Sequence, residues 1–111
     1  MPDRSQPPIS GELKKIDLPT SDTSKVDGIP NLQYRKKEHN IVFLECLFES
    51  GRIAETIPGI SWYAAKMLME GTLRSSASQL ADKIESLGSY IEISAGIDFV
   101  SVKLYSLTKN L

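Results

Sequence analysis

The chain has 111 residues, of which 41% are hydrophobic and 24% charged, and its formal net charge is −1. This composition is typical of a globular domain and carries no basic excess that would favour nucleic acid or an anionic membrane as partner. A single Cys excludes an intrachain disulfide, and one Cys with one His cannot complete a closed Cys/His zinc site. We therefore expect no metal and no cofactor.

The lengths and positions of the apolar segments also limit where the protein functions. The start of the chain has no apolar segment after its charges, so we expect no signal peptide. The longest apolar run, residues 41–44, is too short to span a bilayer. We predict a soluble protein that is cytoplasmic by default, or periplasmic if residue 1 is not its natural start.

The N-terminal part differs in composition from the rest. Residues 1–24 contain four of the six prolines together with many small polar residues, and such a segment buries too little apolar surface to order itself. We predict a flexible tail over residues 1–24 and a folded domain over residues 25–111. Residues 27–31, DGIPN, predict a turn, and residues 32–36 predict a short strand.

Residues 41–48, IVFLECLF, predict a second strand that is apolar on both faces. Such a strand is expected at the centre of a sheet or covered on both sides. Within it, Cys46 is expected to be a buried small hydrophobic residue, because no His lies nearby to activate its thiol. His39, in the polar stretch RKKEHN, is expected to be a solvated turn residue.

Two helices are predicted after this strand. The first covers about residues 59–70, and the second runs from Ser75 or Ser76, as N-cap, to Gly88. The first helix is apolar on two faces. One face consists of Ile60, Ala64, Met67 and Leu68, and the other of Trp62, Ala65 and Met69.

Two alternating strands complete the pattern, over residues 89–95 and 98–107, with a hairpin turn at Gly96 and Ile97. The order ββααββ predicts an α+β fold in which the helices pack on one face of a largely antiparallel sheet. The last residues, TKNL, have no turn or cap, so we expect the sequence to be the first part of a larger protein.

One local pattern resembles the inverted zinc motif of the pitrilysin/insulinase-like zinc peptidases, a family that includes mitochondrial processing peptidase. That motif runs G-x-x-H-x-x-E-H-x-x-x-x-G-T along a helix. The resemblance implies the N-terminal portion of a metalloprotease-like domain of the LuxS/processing-peptidase kind. The residues that match the family at the same spacing are Gly51, Glu55, Gly59, Gly71, Thr72 and Gly88, with Glu85 and Leu87 before the last glycine.

The catalytic positions of the motif hold other residues. Trp62 stands where the family has its first zinc His, Ala65 where it has the catalytic Glu, and Lys66 where it has the second His. An indole offers only a donor N–H, alanine offers no base, and an ammonium repels a metal ion. We therefore expect no enzyme activity and no bound metal. We also expect Trp62 to fill the vacated metal pocket, while Lys66 extends its stem over apolar surface.

The resemblance implies a function without catalysis. Metal-free members of this family pair with an active subunit and enclose a shared chamber, where an extended peptide adds to a sheet edge. In this chain the corresponding strand is Tyr90, Ile91, Glu92, Ile93, Ser94 and Ala95. Glu92 and Ile93 replace the Asn-Ala that the family often has there. The alternative is a stand-alone interaction module that forms a homodimer through an exposed sheet edge or apolar face.

Overall fold

The structure is a computed structural model that describes residue 11, residues 18–36 and residues 39–110. The chain forms two units, which divide between residues 37 and 38. Most of the tail predicted for residues 1–24 lies outside the described residues. Residues 22–24 belong to the first strand.

The N-terminal unit contains an antiparallel hairpin of β1 (Asp22–Val26) and β2 (Ile29–Gln33). The two turn residues between them, Asp27 and Gly28, both have positive φ, at 51° and 84°. This is the backbone of a type I′ turn, for which Asp-Gly is a preferred sequence. The turn is therefore tighter than predicted, and the strand predicted over residues 32–36 is instead β2.

The C-terminal unit contains one three-stranded sheet, two helices and a very short hairpin. Its elements are β3 (Ile41–Phe48), α1 (Ile60–Met67), β4 (Gly71–Thr72), β5 (Ser75–Ser76), α2 (Ala77–Ser86), β6 (Tyr90–Ala95) and β7 (Val100–Leu107). The sheet has the order β3-β7-β6, and both of its pairings are antiparallel. The predicted α+β class with a largely antiparallel sheet is confirmed, whereas the simple ββααββ order is not.

The prediction of a central β3 is wrong for this unit. β3 is an edge strand, and among the described strands only β7 pairs with it. Both helices contact β6, at the opposite edge of the sheet, so the apolar side chains of β3 remain largely exposed. Cys46 is likewise exposed rather than buried, because its face of β3 is not covered. His39 is exposed, as predicted.

The two helices begin and end close to the predicted residues. The Ser76 side chain accepts a hydrogen bond from the backbone N–H of Gln79, whose own side chain accepts from the N–H of Ser76. This capping box confirms Ser76 as the N-cap of α2. In α1 the buried residues are Ser61 and Ala65, so the helix turns a face of small residues inward rather than its bulky apolar face. Among the described residues, no helix is long and apolar enough to cross a membrane.

Candidate functional site

The loop between β3 and α1 is held by the turn between β6 and β7. Backbone N–H groups of residues 51–53 donate to carbonyl oxygens of residues 96–98, at N···O distances of 3.0 to 3.1 Å. The two backbones approach so closely that a Cβ atom at Gly51 would lie 2.4 Å from the Ile97 oxygen and from the Asp98 carbonyl carbon. Only glycine fits this contact without a shift of backbone atoms. Gly51, the first of the residues that match the family, thus has a definite packing role.

Glu55 organises the start of α1. Its two carboxylate oxygens accept hydrogen bonds from the backbone N–H of Gly59, at 2.8 Å, and of Ser61, at 3.0 Å. These bonds satisfy N–H groups that a helix start leaves free, and the Gly59 bond is the main reason why the pKa of Glu55 lies below its usual value. Gly59 precedes α1 with φ of 87°, a left-handed conformation that favours glycine. The sequence signal for this cap is an acidic residue four positions before that glycine.

The other end of the motif forms a second ordered turn. Gly71 and Thr72 make up β4, and the Thr72 Oγ1 atom accepts from the backbone N–H of Arg74, at 3.2 Å, and of Ser75, at 3.1 Å. Gly88 follows α2 with φ of 58°. The matched residues therefore occur where the backbone turns, and they define the start of α1, the turn after it and the end of α2.

The three motif positions, Trp62, Ala65 and Lys66, lie on two sides of α1. Ala65 is buried, with 6% of its surface exposed, whereas Trp62 is 55% exposed and fills no closed pocket among the described residues. The Lys66 Nζ atom lies 5.8 Å from the centroid of the Trp62 ring. This is the distance of a cation–π contact, so Lys66 extends over the indole of Trp62.

No metal site is present in the part of the chain that the structure describes. Among those residues there is no group of three or more His, Cys, Asp or Glu side chains that could hold a metal ion. An open depression of about 530 Å³ lies beside the start of α1. Its one carboxylate, Glu55, already accepts two backbone hydrogen bonds, so it is not poised as a catalytic base. The lining residues are Arg52, Ile53, Glu55, Pro58, Gly59 and Ile97.

The predicted substrate-binding strand, β6, is the second edge of the sheet. The backbone N–H of Gly96 donates to the Phe99 oxygen at 2.8 Å, which directs Gly96 toward β7. Because hydrogen-bonding directions alternate along a strand, the even-numbered residues of β6 also face β7. The backbone groups of Ile91, Ile93 and Ala95 therefore face the open edge.

The even-numbered side chains of β6 share a face with those of neighbouring strands. Tyr90 lies 6.0 Å from Tyr105 of β7, whose ring is in turn 5.0 Å from that of Phe43 in β3, measured between centroids. Next to this aromatic row, Glu92 pairs with Lys103 at an N···O distance of 3.5 Å. Glu92 is thus partly neutralised by a neighbouring strand.

No model of a known protein family matches this chain, and no curated protein matches it significantly. The resemblance to pitrilysin-like peptidases therefore depends on the motif spacing alone.

Proposed function

We propose that this chain is a catalytically inactive relative of the pitrilysin/insulinase-like peptidases. It pairs with an active zinc-peptidase subunit and helps to form the chamber that holds an extended peptide. The observation that carries this proposal is the contrast between the residues that flank α1 and three residues within it. Gly59, together with Gly71 and Thr72, has a structural role at family spacing, whereas the catalytic positions hold Trp62, Ala65 and Lys66.

The absence of catalysis follows from the chemistry of those three side chains. A hydrolytic zinc site needs three protein ligands and a base that takes a proton from the bound water. Ala65 has no proton acceptor, and Lys66 places a positive charge next to the position that a metal would occupy. Family-like hydrolysis would therefore have to come from the partner subunit.

The proposed role in peptide binding rests on the open edge of β6. A peptide that adds there as a fourth strand would form backbone hydrogen bonds with Ile91, Ile93 and Ala95. Its side chains on one face would lie near Tyr90 and Glu92. The free carboxylate oxygen of Glu92 would favour a basic side chain at that point of the peptide.

The first experiment is co-expression of this protein with a subunit that carries an intact H-x-x-E-H motif. We expect a stable heteromeric complex that cleaves peptides, while this chain alone shows no cleavage. Cleavage by the purified chain alone, or no association with any intact-motif subunit from the same source, would refute the proposal.

A variant pair tests the role of β6 within that complex. Ile93→Pro removes an N–H that faces the open edge and leaves the β7 ladder intact, so it should weaken peptide binding without preventing assembly. Ile93→Ala is the matched control, because it keeps the outward-facing N–H and shortens only the side chain at the same position. Equal peptide affinity for Ile93→Pro and the wild type would exclude β6 as the binding strand.

A second candidate function is self-association as an independent interaction module. One specific observation favours it, namely that β3 is an edge strand with exposed apolar side chains. Unpaired strand edges of this kind readily add a strand from another chain. Sedimentation of the purified protein over a range of concentrations decides the matter, since a chain that stays monomeric has no such function.

A further inference from the structure

The open edge of β3 presents a regular set of backbone groups. The N–H of Thr108 donates to the Asn40 oxygen at 3.0 Å, so Asn40 faces β7. Hydrogen-bonding directions alternate along β3, and its even-numbered residues therefore also bond to β7. The odd-numbered residues direct their N–H and C=O groups away from the sheet. These residues are Ile41, Phe43, Glu45 and Leu47.

This set is centred on Leu44, and the inference rests on the unpaired edge together with the exposed apolar side chains of β3. We propose that two copies of this chain join β3 to β3, antiparallel, around a two-fold axis that passes beside Leu44. The proposal gives a geometry to the second candidate function, self-association, and rests on it. The result is a continuous six-stranded sheet in which β3 is central on both copies, as its apolar composition predicts.

The register follows from the positions of the outward-facing residues. With the axis at Leu44, Ile41 lies opposite the partner's Leu47 and Phe43 lies opposite the partner's Glu45. All outward-facing groups of both strands are then paired, which forms about eight interchain hydrogen bonds. Leu44 lies opposite the partner's Leu44 in a pair without hydrogen bonds, where Cα atoms are about 4.5 Å apart.

The neighbouring registers are less favourable. An axis at Glu45 would place two carboxylates directly opposite each other, and like charges in that position destabilise a sheet. An axis at Cys46 would leave the outward groups of Ile41 and Phe43 without a partner in β3. Only the axis at Leu44 both avoids the repulsion and pairs the whole set.

Apolar side chains of β3 are available for cross-strand contacts with a second copy. Five large apolar side chains of β3 are each more than half exposed. A strand that adds at this edge would place its own side chains beside these on both faces of the sheet, where they form cross-strand pairs. The five exposed side chains of β3 are Ile41, Phe43, Leu44, Leu47 and Phe48.

Disulfide trapping tests the register directly. In a Cys46→Ser background, Leu44→Cys should form an intermolecular disulfide under mild oxidation, because the Cα distance of about 4.5 Å suits the bond. Glu45→Cys in the same background is the matched control. Its Cα atom lies diagonally, roughly 7–8 Å from the same residue in the other copy. We expect cross-linking at least about tenfold slower there.

The wild-type thiol provides a further control. In the proposed register the two Cys46 residues lie about 14 Å apart along the strands, so the wild-type dimer should not cross-link. Slow hydrogen exchange at the amides of Phe43 and Glu45 in the wild-type dimer would support the pairing independently of any substitution.

The possible results separate the register from self-association itself. A dimer in which Cys46 or the Glu45→Cys variant cross-links faster than Leu44→Cys would overturn this register and leave self-association intact. A monomer at all concentrations would overturn both. A monomer with protected Phe43 and Glu45 amides would show that another segment of the same chain covers the edge, which also refutes the proposal.

Discussion

Substitution of Gly51 by alanine tests the contact between the β3–α1 loop and the β6–β7 turn. The new Cβ would lie 2.4 Å from two backbone atoms of the β6–β7 turn, and 2.6 Å from the Phe99 nitrogen. Ordinary contacts begin near 3.4 Å, so the two segments must separate by about 1 Å. Three backbone hydrogen bonds of 3.0 to 3.1 Å cross this contact, and a separation of that size breaks them. Each is worth about 0.5–1.5 kcal/mol, so together they account for about 1.5–4.5 kcal/mol.

The measurement is the free energy of unfolding in urea, followed by the fluorescence of Trp62, the only tryptophan. Gly59→Ala is a matched control. A Cβ at Gly59 would meet no atom within 4 Å, and only its left-handed φ of 87° opposes the substitution, at a cost of about 1–2 kcal/mol. We expect Gly51→Ala to lose about 2 kcal/mol or more. A loss smaller than that of Gly59→Ala would show that the close approach is not a structural constraint.

Three further predictions concern α1 and its cap. Glu55→Gln should destabilise the protein at neutral pH. The folded pKa of Glu55 lies below its ordinary value of 4.5. The stability that its carboxylate adds is therefore complete above pH 4.5 and is lost as the pH falls through the folded pKa. The difference in unfolding free energy between Glu55→Gln and the wild type should thus shrink in acid, and a difference that grows would contradict the cap. Lys66→Met should change the fluorescence of Trp62 and reduce stability by about 0.5–1 kcal/mol, whereas Lys66→Arg keeps both, as judged by emission spectra and urea titration. Finally, Trp62→His with Lys66→His should create a zinc-dependent rise in melting temperature that the wild type lacks, because histidines at i and i+4 share one helix face.

Much of the local structure follows from short sequence signals. The N-cap at Ser76, the glycine stop at Gly88 and the strand β7 depend on neighbouring residues, and each lies where the pattern predicts it. The sequence does not predict β1, because its residues are mostly polar and the prolines before it are typical of a tail. The signal for this hairpin is the Asp27-Gly28 pair, which favours a type I′ turn between two strands.

The position of β3 could not be predicted from its own residues. Its apolar composition is that of a strand covered on both faces, yet composition does not specify which chain supplies the cover. The same limit applies to the predicted apolar face of α1. Ile60 and Met67 follow helical spacing, but the helix packs through Ser61 and Ala65, because small residues allow closer approach.

The packing of α1 explains why Glu55 and the glycines around the helix are constrained whether or not a metal is bound. Ser61 and Ala65 are buried, and Glu55 holds the first N–H groups through a loop that is itself bound to the β6–β7 turn. Position 65 would bring a catalytic carboxylate toward the interior, where Ala65 now costs no desolvation. A small apolar residue is therefore favourable at position 65. The glycines and Glu55 are constrained by the backbone contacts alone, and these contacts are independent of zinc.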